Sequence, residues 1–328
     1  MRDEGIKYNM LEMPTNSNAL MATSTEYGYT REFWDLMSGK DADDAKVAKT
    51  NDGGFILPYA NRVEYKEALK KESLFRNIGT TINLDFKLSR WEYTDDNVIT
   101  KWNPNANAPI LEDVNAIADK YTKLEIKPKR LAGIARLDND YLNDLGFNIK
   151  LHLLGRFARV FGDEEENAFI NGDGKEQPVG ILNATGGAEI GGTSEFPTCL
   201  SWEEVYNLFF SVESKYRKHG SWLMNDATAL ALRCMKDSSG RFIWNESNNT
   251  ILGMPVYISN HMPDIGAGAK PIAFGDFSYY CIFDQLLLGV RPLREIFANY
   301  GHMGYLGSEM VDGRLVRPEA VKVIKMAE

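Results

Sequence analysis

Hydrophobic positions change period several times along this chain, and each change predicts an element. Residues 1–53 are polar and irregular, with one helical island at 29–38, where Phe33, Trp34 and Met37 fall at i, i+1 and i+4. A charged linker, 39–54, follows. The run GGFILPY then predicts entry into a helix over 59–71. Next, Ile82, Leu84, Phe86 and Leu88 alternate with polar neighbours, the pattern of a half-buried strand. The parity flips at Trp91 and Tyr93, which implies a bulge near 89–90. Turn chemistry in WNPNANAP precedes a second alternating segment, Leu124 and Ile126 against Lys123, Glu125 and Lys127, so residues 80–137 read as one long hairpin. Asp138 or Asn139 caps a short helix. Ile149, Leu153, Phe157, Val160, Phe161 and Ala168 then recur at helical spacing over 147–170.

The second half opens on a capping box, Ser201 to Glu204, ahead of Val205, Leu208, Phe209, Val212 and Tyr216 in a helix reaching about residue 218. Strands are predicted near 222–225, 255–259, 272–275, 279–290 and 320–325, with a helix at 227–236. Short strands mixed with helices in this order give an α+β class with a mixed or antiparallel sheet.

Three features lack a partner within their own segment. The Phe33–Trp34 island has nothing in the arm to pack on. The outer hairpin is rich in Asn, Asp and Pro, and an isolated two-stranded ribbon is marginal in water. Either it is disordered or it lies on another copy of the chain. The second is favoured, because Trp91, Tyr93, Trp102 and Tyr121 are costly to leave solvated. The acidic run Asp163, Glu164, Glu165 and Glu166 sits towards the C-terminal end of a helix, where it opposes the macrodipole. A solvated face, a restarted helix after Gly162 and contact with a neighbour's basic side chains all remain open.

Composition narrows the class. With 328 residues, 44% hydrophobic and 25% charged, the chain is long enough for two or three cored domains. No apolar run approaches the roughly 18–20 residues of a membrane span, and the first residues lack a secretory h-region. A net charge of −9 argues against a protein devoted to gripping phosphates. Three separated cysteines offer neither a disulfide framework nor a zinc site, which suits a reducing compartment. Four histidines have no ligand spacing, and P-loop, dinucleotide and GxSxG patterns are missing. No cofactor, metal or catalytic residue is expected.

Several stretches, in order, resemble HK97-type major capsid proteins of tailed phages. They are DGGFILPYANRVEYKEALKKESLFRNIGT (52–80), FGDEEENAFINGDGKEQPVGILN (161–183), WLMNDATALALRCMKDSSGRFIW (222–244), ILGMPVYISNHMP (251–263), IAFGDFSYYCIFD (272–284) and DGRLVRPEAVKVIKM (312–326). The resemblance implies an HK97-like α+β fold. Its parts would be an N-terminal arm (1–53), the start of a peripheral domain (54–84), an extended E-loop hairpin (85–128), the peripheral domain with a long spine helix (129–198), an axial domain (199–300) and C-terminal strands returning to the peripheral domain (301–328).

It further implies a non-enzymatic shell protein that self-assembles into hexamers and pentamers in the host cytoplasm and encloses double-stranded DNA contacted non-specifically. Scaffold, protease and portal proteins would be assembly partners, and no membrane would be involved. The hairpin and the Phe33–Trp34 island would lie on neighbouring subunits. One branch of the family joins an E-loop lysine to a neighbour's asparagine with help from a glutamate. Lys101 could supply the lysine, but Gly301 and Ser308 fall roughly where the other two belong, with only Asn299 and Glu309 nearby, so cross-linking is not expected. Two rivals are carried: an encapsulin-like compartment, betrayed by protein cargo without DNA, and a soluble hydrolase using acids such as Asp163 or Glu166, betrayed by a small oligomer that forms no shells.

Overall fold

From its N-terminal side the chain runs through α1 (Ala19–Met37), β1 (Phe55–Ile56), α2 (Tyr59–Glu72), α3 (Phe75–Ile78), β2 (Thr80–Asn83), β3 (Arg90–Thr94), β4 (Tyr121–Glu125) and β5 (Lys129–Asp138). It continues through α4 (Asn139–Asn143), α5 (Ile149–Asn171), β6 (Glu189–Thr193), α6 (Trp202–Ser211), α7 (Ser214–Arg217), β7 (Ser221–Met224) and α8 (Asp226–Arg233). Last come β8 (Thr250–Ile251), β9 (Met254–Ile258), β10 (Ile272–Gly275), β11 (Tyr280–Leu293), β12 (His302–Leu315) and β13 (Val321–Lys325). This computed structural model describes residues 19–40, 46–50, 53–84, 90–94, 121–144, 146–236, 244 and 249–328. The chain divides into two compact units, each assembled from separated stretches.

The first unit comprises Met1–Ser73, Leu131–Glu164 and Leu287–Glu309. Helix α1 is longer than the island that announced it, and its apolar stripe is Phe33, Leu36 and Met37, all buried. These side chains join Val47, Leu57, Tyr65, Leu69, Leu153, Phe157 and Phe161 in one core. Gly39 ends the helix in a left-handed conformation (φ 75°), which only glycine adopts at little cost. Helices α2 and α5 run side by side, tied by Lys150–Glu64 (2.8 Å) and Arg159–Glu72 (3.9 Å). Gly133 of β5 is a close-approach site, because a Cβ there would lie 3.0 Å from the Phe161 ring.

The second unit comprises Leu74–Arg130, Glu165–Leu286 and Met310–Glu328. Its six-stranded sheet has the order β6-β13-β10-β7-β9-β8. Strand β10 is antiparallel to both neighbours, whereas β13–β6 and β7–β9 are parallel, so the sheet is mixed. The Trp222 and Phe274 rings lie 4.3 Å apart, tilted by 36°, and Phe209 of α6 packs on Phe274 at 5.0 Å. The capping box forms: the Ser201 hydroxyl accepts from the Glu204 N–H, and the Glu204 carboxylate accepts from the Ser201 N–H. The helix it starts stops at Ser211 instead of reaching 218. Val212 turns extended and α7 forms separately, which buries both Val212 and Tyr216.

A second sheet has the order β1-β11-β12-β5, with β2 also paired to β11, parallel. Strands β11 and β12, 14 residues each, supply residues to both units. The single hairpin expected over 80–137 is therefore corrected. Residues 80–83 pair with 281–284, and β5 joins the same sheet as its edge. Only β3 and β4 pair as a ribbon, Arg90 opposite Glu125 through Thr94 opposite Tyr121. The bulge expected near 89–90 lies outside the described residues on its first side. Periodicity gave no forecast of strand β12, which only the resemblance implied, because its Gly304, Gly307 and Gly313 and its buried Glu309 and Asp312 break the apolar alternation.

Candidate assembly surfaces and a buried ionic cluster

Phe33 is fully buried in the first unit's core, edge-on to Trp34 at 4.9 Å and 82°. Trp34 is half-buried, and its indole N–H donates to Asn61 Oδ1 at 3.0 Å. The island expected to rest on a neighbour thus rests on its own chain. Its partners, Tyr65, Leu69 and Phe157, come from distant sequence, which no local pattern reveals. Within the same unit the Tyr29 hydroxyl donates to Ile56 O (2.6 Å) and the Tyr305 hydroxyl to Met37 O (2.7 Å), fastening both ends of the helix's packed face.

Trp91, Tyr93 and Tyr121 take their places in the β3–β4 ribbon, opposite Leu124, Thr122 and Thr94. Lys101 and Trp102 lie outside the described residues. Glu309, the acid near the expected cross-linking position, is buried, with the Tyr65 hydroxyl 3.4 Å from Oε2. At the base of the hairpin, in the second unit, Asp312 Oδ2 accepts the Lys127 N–H at 3.0 Å and Oδ1 the Gly313 N–H at 2.9 Å. Burial pushes the Asp312 carboxyl up, against the opposing pull of these N–H groups and of Arg314.

The acidic run divides. Asp163 and Glu164 are exposed, whereas Glu165 and Glu166 are buried in the second unit. For these two, contact with a neighbour and solvation are both corrected. Arg76 donates through Nε and Nη2 to Glu165 (2.6 and 2.5 Å) and through Nη1 and Nη2 to Asp284 (3.1 and 3.0 Å). The three side chains are 3%, 0% and 4% exposed, so each of these hydrogen bonds is shielded from water. Beside them, Glu166 accepts the Leu74 N–H at 2.7 Å and the Ser259 hydroxyl at 2.5 Å. Burial alone would lower the Arg76 pKa, but the charges and hydrogen bonds of Glu165 and Asp284 hold it well above the usual value. Two bidentate pairs on one planar guanidinium need arginine specifically. The sequence gives no local sign of this, because the three partners come from α3, α5 and β11.

This arrangement is structural chemistry, a set of saturated donors and acceptors that lock elements together. The one buried thiol, Cys281, is pushed up to about 12 by burial, which removes it as a nucleophile at neutral pH. Among the described residues no cluster of three or more His, Cys, Asp or Glu could hold a metal ion. Nor is any helix there long and apolar enough to cross a membrane.

A long helix, a mixed six-stranded sheet and a separately paired two-stranded ribbon define an α+β fold of the HK97-like capsid class. Residues 53–326 match the model of the phage capsid family, and this chain belongs to that family. Its role is that of a structural, non-enzymatic capsid component. The chain is similar to "Capsid of empty GTA particle computed with C5 symmetry", at 30% identity and a TM-score of 0.63, covering 78% of this chain and 90% of that one. The corresponding capsid of the native GTA particle gives 28% identity, a TM-score of 0.59, and coverage of 77% and 90%. A chain from Gordonia phage Cozz, 11% identical with a TM-score of 0.54 over 78% of this chain and 87% of that one, shares the fold. A capsid polyprotein of Pseudomonas phage PAJU2 is 23% identical over 156 residues, which is 45% of this chain and 23% of that polyprotein's length.

Proposed function

We propose that this chain assembles into the hexamers and pentamers of an icosahedral shell enclosing double-stranded DNA, as the major capsid protein of a tailed phage or prophage. The observation that carries the reading is the family match over 53–326, joined to fold similarity with capsid chains of whole particles. In this reading 85–128 is the E-loop lying across an adjacent subunit, 129–198 the peripheral domain with α5 as its spine, and 199–300 the axial domain. A ribbon that no third strand supports among the described residues gains one by docking on another copy. Many modest contacts then add by avidity when the shell closes. The net charge of −9 keeps a packaged genome mobile by repulsion, with only non-specific contacts to DNA. Scaffold, protease and portal proteins would act during assembly in the host cytoplasm.

Negative-stain microscopy of the purified chain tests this. Closed shells or rings of five and six subunits are expected, and a monomer persisting at high concentration overturns it. Shells that carry protein cargo and exclude DNA would favour the compartment reading. Deleting 97–113 at the hairpin tip should leave a folded subunit without capsomers. Mature shells boiled in SDS should give one band, and a ladder of covalent oligomers would show that cross-linking occurs after all.

A further inference from the structure

The sequence holds one Asn-Gly pair, Asn171–Gly172, where helix α5 gives way to the turn before Pro178. This dipeptide loses its side-chain amide more readily than any other without an enzyme, because glycine has no Cβ to shield the attacking main-chain nitrogen. Asn171 is exposed, so water reaches it. The fold nevertheless requires both residues. A Cβ on Gly172 would collide with Pro178 O and Ala168 O, main-chain atoms that no side-chain motion moves aside. Asn171 Nδ2 donates to His261 O at 2.9 Å and to Asn167 Oδ1 at 3.1 Å, which ties the end of α5 to the turn after β9.

The same contacts hold the reaction off. Deamidation begins when Gly172 N attacks Asn171 Cγ. An N–Cγ bond forms, the Cγ–Nδ2 bond breaks, and Nδ2 leaves as ammonia with the proton from Gly172 N. Water then opens the succinimide at either carbonyl, giving Asp or isoaspartate. In the folded subunit the Gly172 N–H is donated to Ala168 O at 2.8 Å. Attack needs that bond and both Nδ2 bonds released together, which takes opening of the α5 terminus. The neighbouring Asp173–Gly174 pair is restrained differently. Asp173 Oδ1 accepts the N–H groups of Lys175, Glu176 and Gln177 at 2.8, 3.2 and 3.2 Å. These bonds, that from Lys175 foremost, hold its carboxyl below the usual range and so in the ionised form, which resists ring closure.

The product does not fit the place it came from. Asn167 can turn its amide to donate to a carboxylate at 171, but the main-chain His261 O cannot, and it loses its donor to a negative charge. That charge also sits at a helix C-terminus, where the macrodipole opposes it. Isoaspartate adds a main-chain atom just before Gly172, whose carbonyl is already committed to the Gly180 N–H (3.1 Å) and Asn183 Nδ2 (2.8 Å).

We infer that Asn171 is a modification site gated by folding: shielded from deamidation in the native subunit, and converted in the unfolded chain to an Asp or isoaspartate that no longer rebuilds the end of α5. Time spent unfolded then becomes irreversible damage.

Mass spectrometry of the wild-type chain, aged in mildly alkaline buffer either native or in guanidinium and then digested, tests the gate. The peptide carrying Asn171 should deamidate at least about tenfold faster in the unfolded chain. Equal rates overturn the inference, and so does an Asn171 that stays intact in both states. The consequence is tested by diluting the aged, unfolded chain out of guanidinium. Molecules that regain the native circular dichroism should be depleted in the modified peptide, and modified chains refolding in full proportion overturn it. Asn171→Gln keeps an amide but lengthens the side chain, so the five-membered ring cannot close. Its refolding yield after ageing should match its own yield before ageing, and a loss as large as in wild type would place the damage at another residue and overturn the inference.

Discussion

Arg76 concentrates more buried polar interaction than any side chain that sequence inspection singled out. Replacing it with Met would leave Glu165 and Asp284 facing each other without a cation. Breaking such a buried pair costs about 3–5 kcal/mol, so Arg76→Met should lower the urea midpoint markedly, and a loss under about 1 kcal/mol would mean that the carboxylates find other partners. Asp312 provides a pH test. Its folded pKa is raised, so the stability it lends is fully present below the unfolded carboxyl value and is lost as pH rises through the folded one. Asp312→Asn lacks that loss. Its stability relative to wild type should therefore improve between pH 4 and pH 7, as urea unfolding at about those two values would show. Thiol chemistry gives a third check. Cys199 and Cys234 are exposed and Cys281 is buried with its thiol pushed up to about 12, so a disulfide reagent near pH 8 should label the first two in the native protein and the third only after unfolding.

At the level of elements, α2 was located by the proline at its entry, α5 by its helical period, and β7, β9, β10 and β13 as short apolar runs, each to within a few residues. Such patterns failed where the period breaks for a reason outside the segment. α6 and α7 looked like one helix because Val212 and Tyr216 continue the stripe, yet a bend at Val212 buries both. β12 was invisible because its glycines and buried acids answer to neighbours elsewhere in the chain. α1 offers the clearest test of a corrected expectation. If Phe33 belongs to its own subunit's core, Phe33→Ala should cost about 3–5 kcal/mol in the unassembled subunit. An unchanged unfolding midpoint there would return the helix to a neighbour.

For the whole molecule, the order of motifs from residue 52 to the C-terminus was enough to identify the capsid family, because six stretches spread over nearly the whole matched range fall in one order. The candidate contact residues were less legible. Solvation cost correctly marked Phe33 and Trp34 as needing cover but could not say whose surface provides it. The macrodipole drew attention to Glu165 and Glu166 but left a solvated face as the first reading, whereas both are buried with partners in the same chain. The half-buried character of β5 could have been read from the alternation of Leu131, Gly133, Ala135 and Leu137 with Arg130, Ala132, Ile134 and Arg136, had the segment been assigned to a sheet and not to the limb of a hairpin.

What the sequence determined by itself is what depends on local repetition and on ordered motifs: the α+β class, the helix starts set by caps, and the family. Tertiary structure decided which groups meet across long separations. It drew α1 onto its own core, placed one guanidinium between carboxylates 89 and 208 residues away in the chain, and set β5 at the end of its sheet among the described strands. Local pattern records that a side chain must be buried or a charge paired, since water sets that requirement residue by residue. Only the closed fold records with what, because the partner is selected by the geometry of every element at once.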